Sequence, residues 1–137
     1  MYMNILVPVD LQESVLTERA LQVAKDIAGH YDAQITIMTV IPDFGMPVVA
    51  NFFPDDAMEK AHKEVVAELD KFVAARFDDP SKVRTRVLEG TPHKVIVDYA
   101  EGHDTDLIVL PARVKDLSKV FMGSSSTHVA ERAPCSV

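Results

Sequence analysis

Three short runs of apolar residues constrain the fold of this chain more than any other feature of its sequence. They cover residues 4–9, 34–41 and 107–110, they are rich in Val, Ile and Leu, and none of them contains a charged residue. A strand of this kind is usually covered on both faces, which is typical of a parallel sheet with helices on either side. The runs therefore predict an α/β fold built on a parallel sheet.

Segments with apolar residues at helical spacing lie between the predicted strands. They cover residues 14–29, about 55–77, and 91–102. The last of these has a strong start signal, because Thr91 can cap the helix and Pro92 suits its first position. Strands and helices thus alternate along the chain, which implies right-handed crossovers.

Two further segments complete the predicted sheet. Residues 83–89 alternate polar and apolar side chains, with Arg84 and Arg86 on the polar side, and this indicates a strand nearer the sheet edge. Residues 135–137 would begin a fifth strand, which stops short at Val137. We expect one domain over residues 1–137: an α/β, doubly wound, parallel five-stranded sheet with helices on both faces.

The carboxyl ends of the predicted strands indicate where a ligand binds. Asp10, Val40 and Pro111 each lie at such an end. In doubly wound sheets, ligands bind outside these ends, where the strand order reverses. We therefore expect the three segments to line one crevice. Asp10 could alternatively serve only to cap the first helix or to hold a turn.

The stretch that follows the last apolar run has the features of an anion site. A cationic loop without glycine, residues 111–119, leads to Gly123, Ser124, Ser125 and Ser126, which we expect to open a helix. Backbone amides and the positive end of the helix dipole favour an anion there by roughly 0.3–1 kcal/mol. The segment predicts a phosphate site, although glycine and serine are also favoured at helix starts without any ligand.

Composition limits the possible partners. Apolar residues make up 47% of the chain and charged residues 26%, with a formal charge of -7. This charge argues against a nucleic-acid partner, since duplex binding depends on Lys and Arg, but not against a single nucleotide. Cys135 is the one cysteine, which suits a reduced cytosol. Because the amino-terminal residues show neither a signal peptide nor a membrane span, we expect a cytoplasmic protein without a membrane partner.

Five segments, in this order and spacing, resemble the universal stress protein family, in its A-like branch. The resemblance covers essentially the whole chain and implies a Rossmann-like, adenine nucleotide α-hydrolase-like fold. The segments are NILVPVD, TVIP, EGTPHKVIVDYA, DLIVLPA and MGSSSTHVAERAPCSV.

The chain departs from the family's phosphate loop at one point. Nucleotide-binding members typically carry G-x-x-G, nine residues, and then Gly followed by Ser or Thr. Here Pro111 replaces the first glycine, the second falls near Val114, and eight residues, 115–122, precede Gly123 and Ser124. Glycine lets a backbone approach phosphate closely, whereas a valine side chain obstructs it. The chain resembles a subgroup with a shorter loop, for which nucleotide binding is still expected.

The resemblance also implies roles for individual residues. Asp10, with Pro8 and the backbone around Val9, would hold an adenosine moiety, and Val40 would meet the base through its main chain. The serines and their amides would hold phosphate. To these we add Arg113, because a guanidinium can bind two phosphate oxygens at once. The predicted nucleotide-binding residues are Pro8, Val9, Asp10, Val40, Pro111, Arg113, Gly123, Ser124, Ser125 and Ser126.

We therefore expect a dimeric, cytoplasmic regulatory protein that binds ATP, ADP or AMP, with or without Mg²⁺. Two alternatives stay open: a nucleotide-free scaffold, in which Val114 and the apolar loop at 42–54 close the pocket, and a phosphotransferase that labels its own serines. We expect no catalytic residues, because the sequence lacks a P-loop and a distinct catalytic constellation. The five histidines show no metal-ligand spacing, so we expect no metal site.

Overall fold

The computed structural model of the protein describes residues 1–12, 14–42, 57–111 and 120–137. Strands and helices alternate along these ranges, as the sequence predicts. A 3-10 turn at Pro80–Lys82 precedes the third strand. In chain order the elements are β1 (Asn4–Pro8), α1 (Ser14–Tyr31), β2 (Gln34–Pro42), α2 (Ala57–Arg76), β3 (Arg84–Gly90), α3 (Pro92–Gly102), β4 (Leu107–Ile108) and α4 (Val120–Arg132).

The strands form one parallel sheet in the order β3-β2-β1-β4. Ile5 of β1 pairs with Ile35 on one side and with Leu107 on the other, so β1 lies inside the sheet. The strand order reverses at β1, since β2 and β3 lie to one side of it and β4 to the other. The doubly wound parallel fold is thereby confirmed.

The expected fifth strand is not formed in the described part of the chain. Ser136 makes an isolated parallel bridge to Leu107, and its carbonyl accepts the Ile108 N–H at 2.9 Å. The segment thus lies beside β4, where a fifth strand would lie, but a single bridge does not make a strand. Pro134, just before it, has no N–H with which to extend the pairing.

The strand side chains alternate between two cores, one on each face of the sheet. Ile5 and Val7 point to the face that α1 and α2 cover, and Leu6 points to the face that α3 and α4 cover. All three side chains are almost completely buried. Because both faces are covered, the strand needs no polar alternation. Full burial of one such side chain stabilises the fold by about 1.5–3 kcal/mol.

The edge position predicted for residues 83–89 is correct, because β3 pairs only with β2 among the described strands. Gly90, at its end, has φ 139°, and a Cβ there would lie 2.9 Å from Cγ2 of Val95. The turn into α3 therefore needs a glycine. Thr91 takes the N-cap position before Pro92, but its side chain makes no capping hydrogen bond.

One predicted boundary is wrong: α4 begins at Val120 and not at Gly123. Gly123 therefore lies inside the first two turns. A glycine inside a helix costs only about 1 kcal/mol relative to alanine, which the packing of this helix through the fully buried Val129 can offset. The apolar loop predicted for residues 42–54 lies outside the described residues from residue 43 onward. In the described ranges no helix combines the length and apolarity needed to cross a membrane.

Candidate functional site

A cavity of about 420 Å³ opens at the carboxyl ends of β1, β2 and β4. It lies where the strand order reverses, as expected for a doubly wound sheet. Side chains from both faces of the sheet close it. The lining residues are Pro8, Val9, Asp10, Leu11, Gln12, Met38, Thr39, Val40, Ile41, Pro42, Val65, Glu68, Pro92, Ile96, Leu110 and Ser126.

Five of the predicted site residues meet at this cavity. Pro8, Val9 and Asp10 come from the end of β1, Val40 comes from β2, and Ser126 comes from α4. The expected convergence of chain segments on one crevice is therefore present in the structure. Their contact with a nucleotide remains a prediction.

Of the other predicted residues, Pro111 contacts a lining residue, and the rest lie in α4 or outside the described part of the chain. Pro111 is buried, and its carbonyl accepts a hydrogen bond from the Ser126 hydroxyl at 3.2 Å. Gly123–Ser125 lie in α4 just before Ser126, but their side chains are not described. Arg113 and Val114 fall between residues 112 and 119, outside the described residues.

Asp10 builds the turn that joins β1 to α1. One oxygen of its carboxylate accepts the backbone N–H of Gln12 at 2.9 Å, and its carbonyl accepts the hydroxyl of Thr17 at 3.2 Å. Thr17 is almost completely buried, so this turn is fixed to the helix that follows. The turn-forming role considered for Asp10 is therefore present, and it holds the carboxylate at the cavity wall.

The floor of the cavity is tied together by hydrogen bonds between β1 and β2. The N–H of Val9 donates to the carbonyl of Met38 at 2.7 Å, and the hydroxyl of Thr39 donates to the carbonyl of Val9 at 3.0 Å. Both polar groups of the Val9 backbone are thus already engaged. A ligand would meet Val9 through its side chain or through the remaining lone pair of its carbonyl.

The two sides of the cavity differ in charge. We call Val65 and Glu68 the α2 wall, and Pro92, Ile96 and Ser126 the α3/α4 wall. The α2 wall carries the Glu68 carboxylate, which makes no hydrogen bond or ion pair to any residue in the described ranges.

The α3/α4 wall instead has basic neighbours. His93 and Lys94 follow Pro92 in α3, and His128 and Arg132 follow Ser126 in α4. No Lys, Arg or His is among the lining residues that the structure describes. Arg113, the cation that the sequence predicts to bind phosphate, lies outside the described residues.

Several lining residues were not predicted from the sequence. Val65 and Glu68 were not among the predicted site residues, because helical spacing alone does not show that the helix passes a cavity. Thr39 had a usable signal, since it directly precedes Val40 at the end of a buried strand. Gln12 could also have been predicted to line the cavity, because it lies in the turn after Asp10.

Neither cysteine nor metal chemistry has support in the described residues. No group of three or more His, Cys, Asp and Glu side chains is placed to hold a metal ion there. Burial raises the pKa of the Cys135 thiol, and the nearby Asp106 raises it further. A thiol of raised pKa is a weak nucleophile at neutral pH.

Comparison with known proteins gives one family. The family model described as "Universal stress protein family" matches residues 1–137. Among curated proteins, universal stress protein G of Salmonella typhimurium strain LT2 is 28% identical over 135 residues, which is 97% of this chain and 94% of that protein.

Solved structures agree in fold. Universal stress protein UspA from Lactobacillus plantarum is 32% identical, with a TM-score of 0.71, and the match covers 99% of this chain and 95% of that one. A structure titled as a universal stress protein in complex with cAMP is 23% identical, with a TM-score of 0.62, and covers 99% of this chain and 94% of its own. The second likeness shows the fold alone.

Proposed function

The chain belongs to the universal stress protein family, and from that premise we propose that it is a regulatory protein that binds ATP, ADP or AMP in the cavity at the strand ends. The observation that carries the proposal is the meeting of Pro8–Asp10, Val40 and Ser126 around one cavity of about 420 Å³. Ligand pockets for small molecules commonly have volumes of about 300–1,000 Å³. The nucleotide acts as a regulatory ligand, and partner contacts change when it is bound.

The chemistry of the cavity supports a nucleoside with an anionic tail. Most lining side chains are apolar and suit the faces of a base, while Asp10 offers a carboxylate that accepts hydrogen bonds from hydroxyl or amino groups. Phosphate would be repelled by the carboxylates of Asp10 and Glu68. We therefore assign the phosphates to the α3/α4 wall, beside Ser126. The solved family member in complex with cAMP supports the ligand class.

Thermal melting with and without ATP, ADP and AMP tests the proposal. A ligand at 100 times its dissociation constant adds about 2.7 kcal/mol to the free energy of unfolding, which raises the melting temperature measurably. Val40→Phe should abolish the shift because the added ring fills the cavity. The control is Val23→Phe, at a half-exposed position of α1 that does not line the cavity.

Two results would contradict nucleotide binding. One is a melting temperature that none of the three nucleotides changes at millimolar concentration. The other is an equal increase in melting temperature on addition of nucleotide for Val40→Phe and for the wild-type protein. Acid denaturation of freshly purified protein, followed by chromatography, would independently show whether an adenine nucleotide copurifies.

We further propose that the protein works as a cytoplasmic homodimer and is not a catalyst. The outer side of residues 135–137, next to β4, could pair with a second copy, and Val137 there is half exposed. Light scattering should give about 30 kDa, twice the chain mass of 15.1 kDa. A mass of 15.1 kDa in solution would contradict the dimer. Incubation with labelled ATP tests catalysis, because phosphate on any serine of α4 would make the protein a phosphotransferase.

A further inference from the structure

Two histidine rings pack against each other where α3 meets α4. The ring centroids of His93 and His128 are 4.5 Å apart and the ring planes are tilted by 30°. Nδ1 of His128 is buried and has no hydrogen-bond partner in the described part of the chain. The contact therefore leaves a buried polar atom unsatisfied between the two helices.

The surroundings of the pair also oppose a positive charge. His93 lies in the first turn of α3, where the helix dipole disfavours a cation. The charged groups facing it are Lys94 on its own helix and His128 and Arg132 on α4, and all of them are basic. Burial, followed by His128, Arg132 and Lys94, holds the pKa of His93 below its ordinary value.

The pair is directly connected to the cavity. His93 follows Pro92, and His128 lies two residues after Ser126, so each ring is close in sequence to a residue that lines the cavity. Below the rings, α3 and α4 pack through Ile96, Tyr99, Ala100 and Val129. A change in the distance between the rings would therefore move the α3/α4 wall.

We propose that the His93–His128 contact makes nucleotide binding depend on pH, because protonation of His93 loosens the packing of α3 against α4 and weakens the α3/α4 wall. The inference rests on the proposed function, since it describes the regulation of the same site. When His93 is neutral, the ring contact holds the wall in place. In acid, a protonated His93 is repelled by Arg132 on α4 and by Lys94 on its own helix, and the wall loosens.

The direction of the pH effect follows from the lowered pKa of His93. Unfolded or opened chains take up the proton near the ordinary pKa of about 6.5, whereas the packed form resists it. The stability that neutral His93 provides is therefore complete above about pH 6.5 and is lost as the pH falls through the lower pKa that His93 has in the packed state. Nucleotide affinity should fall in the same interval.

Calorimetric titration with AMP between pH 5.5 and 8.0 tests the inference. The matched proteins are wild type, His93→Gln and the control His30→Gln, whose exposed ring lies at the end of α1. If the packed form excludes one proton, lowering the pH from 7.5 to 5.5 should raise the dissociation constant of the wild type by up to about tenfold. This increase is measured relative to the dissociation constant of His93→Gln at the same pH. His30→Gln should behave like the wild type.

The phosphate of AMP itself ionises near pH 6, but this contribution cancels in the ratio of wild type to variant. Adenosine serves as a second probe without phosphate and should give the same ratio. If His93→Gln does not fold, His128→Gln tests the same contact. Melting curves without ligand provide a separate readout: the wild type should lose more stability than the variant below pH 6.5.

The outcomes separate the two proposals. Equal pH profiles of wild type and His93→Gln, for AMP binding and for melting, would overturn the histidine inference and leave nucleotide binding intact. So would tighter AMP binding by the wild type at pH 5.5, which would mean that the rings bind phosphate when charged. Absence of binding at every pH would overturn the proposed function and its regulation, while the melting curves would still decide whether the contact responds to protons.

Discussion

The α2 wall and the α3/α4 wall face the same cavity but differ in charge. The α2 wall presents the Glu68 carboxylate, and the α3/α4 wall presents the hydroxyl of Ser126, with Lys94 and Arg132 on the same two helices. Both walls rest on a sheet with an apolar core on each face. The difference therefore comes from residues at and near the cavity and not from the sheet, and it gives a bound nucleotide a preferred orientation.

The largest expected effect comes from reversing the charge of Arg113, which the sequence predicts to bind phosphate. Arg113→Glu should raise the dissociation constant of ATP by roughly 10–100-fold, because charge-assisted hydrogen bonds contribute about 1.5–3 kcal/mol. Adenosine binding should not change. Arg113 itself lies outside the described residues. The control in the same titrations is Arg84→Glu, an equal charge reversal at an exposed position at the start of β3. Equal losses for ATP and adenosine would contradict the assigned direction.

Gly90→Ala tests how the α3/α4 wall is held in place. Alanine would have to adopt φ 139° with its Cβ 2.9 Å from Val95, so we expect a loss of about 1–3 kcal/mol in the free energy of unfolding. Gly102→Ala is the matched control, because a Cβ there meets nothing within 4 Å. Urea denaturation would compare the two. A Gly90→Ala variant as stable as the control would show that the turn into α3 is not constrained by sterics.

Thr39→Val tests the floor that both walls share. The substitution removes the hydrogen bond to the Val9 carbonyl but keeps the shape of the side chain, and it should cost about 1 kcal/mol. The melting temperature should fall by about 3–5 °C. Thr39→Ser keeps the hydroxyl, and we expect it to keep the hydrogen bond although it loses a methyl group. If Thr39→Val weakens the binding of ATP and of adenosine equally, the floor supports the whole ligand and not one end of it.

The smallest expected effect lies on the α2 wall. Glu68→Gln removes a negative charge from an exposed position, so ATP binding should tighten by only about twofold to fivefold. Glu64→Gln, one turn earlier on the same helix and not lining the cavity, is the control. Weaker ATP binding by Glu68→Gln would reverse the assignment of the two walls, because Glu68 would then be holding the polyphosphate end through a cation.

The elements of the fold follow from local patterns, but the cavity does so only in part. Unbroken apolar runs predicted buried strands, and the alternation in residues 83–89 predicted an edge strand, because each pattern reports directly on which faces are covered. Glu68 was not predicted as a lining residue, since a helical repeat shows which face is wet but not what lies beside it. The start of α4 was misplaced because Gly123 and the serines are favoured at helix starts but are tolerated within helices as well.

The pairing of His93 with His128 could not be predicted for a different reason. The two residues are far apart in sequence, and their contact depends on how α3 and α4 approach each other across one face of the sheet. Metal-ligand spacing, the pattern by which functional histidines are often recognised, gives no signal for a contact between two rings. Contacts of this kind become visible only in three dimensions.

The most direct test of the central claim is an NMR titration of the ¹⁵N-labelled protein with AMP at pH 7.5. The account predicts saturable shifts of the backbone amides of Val9, Asp10, Val40 and Leu110, which belong to three different strand ends of the one cavity. Shifts confined to another surface, or none at millimolar AMP, would contradict it.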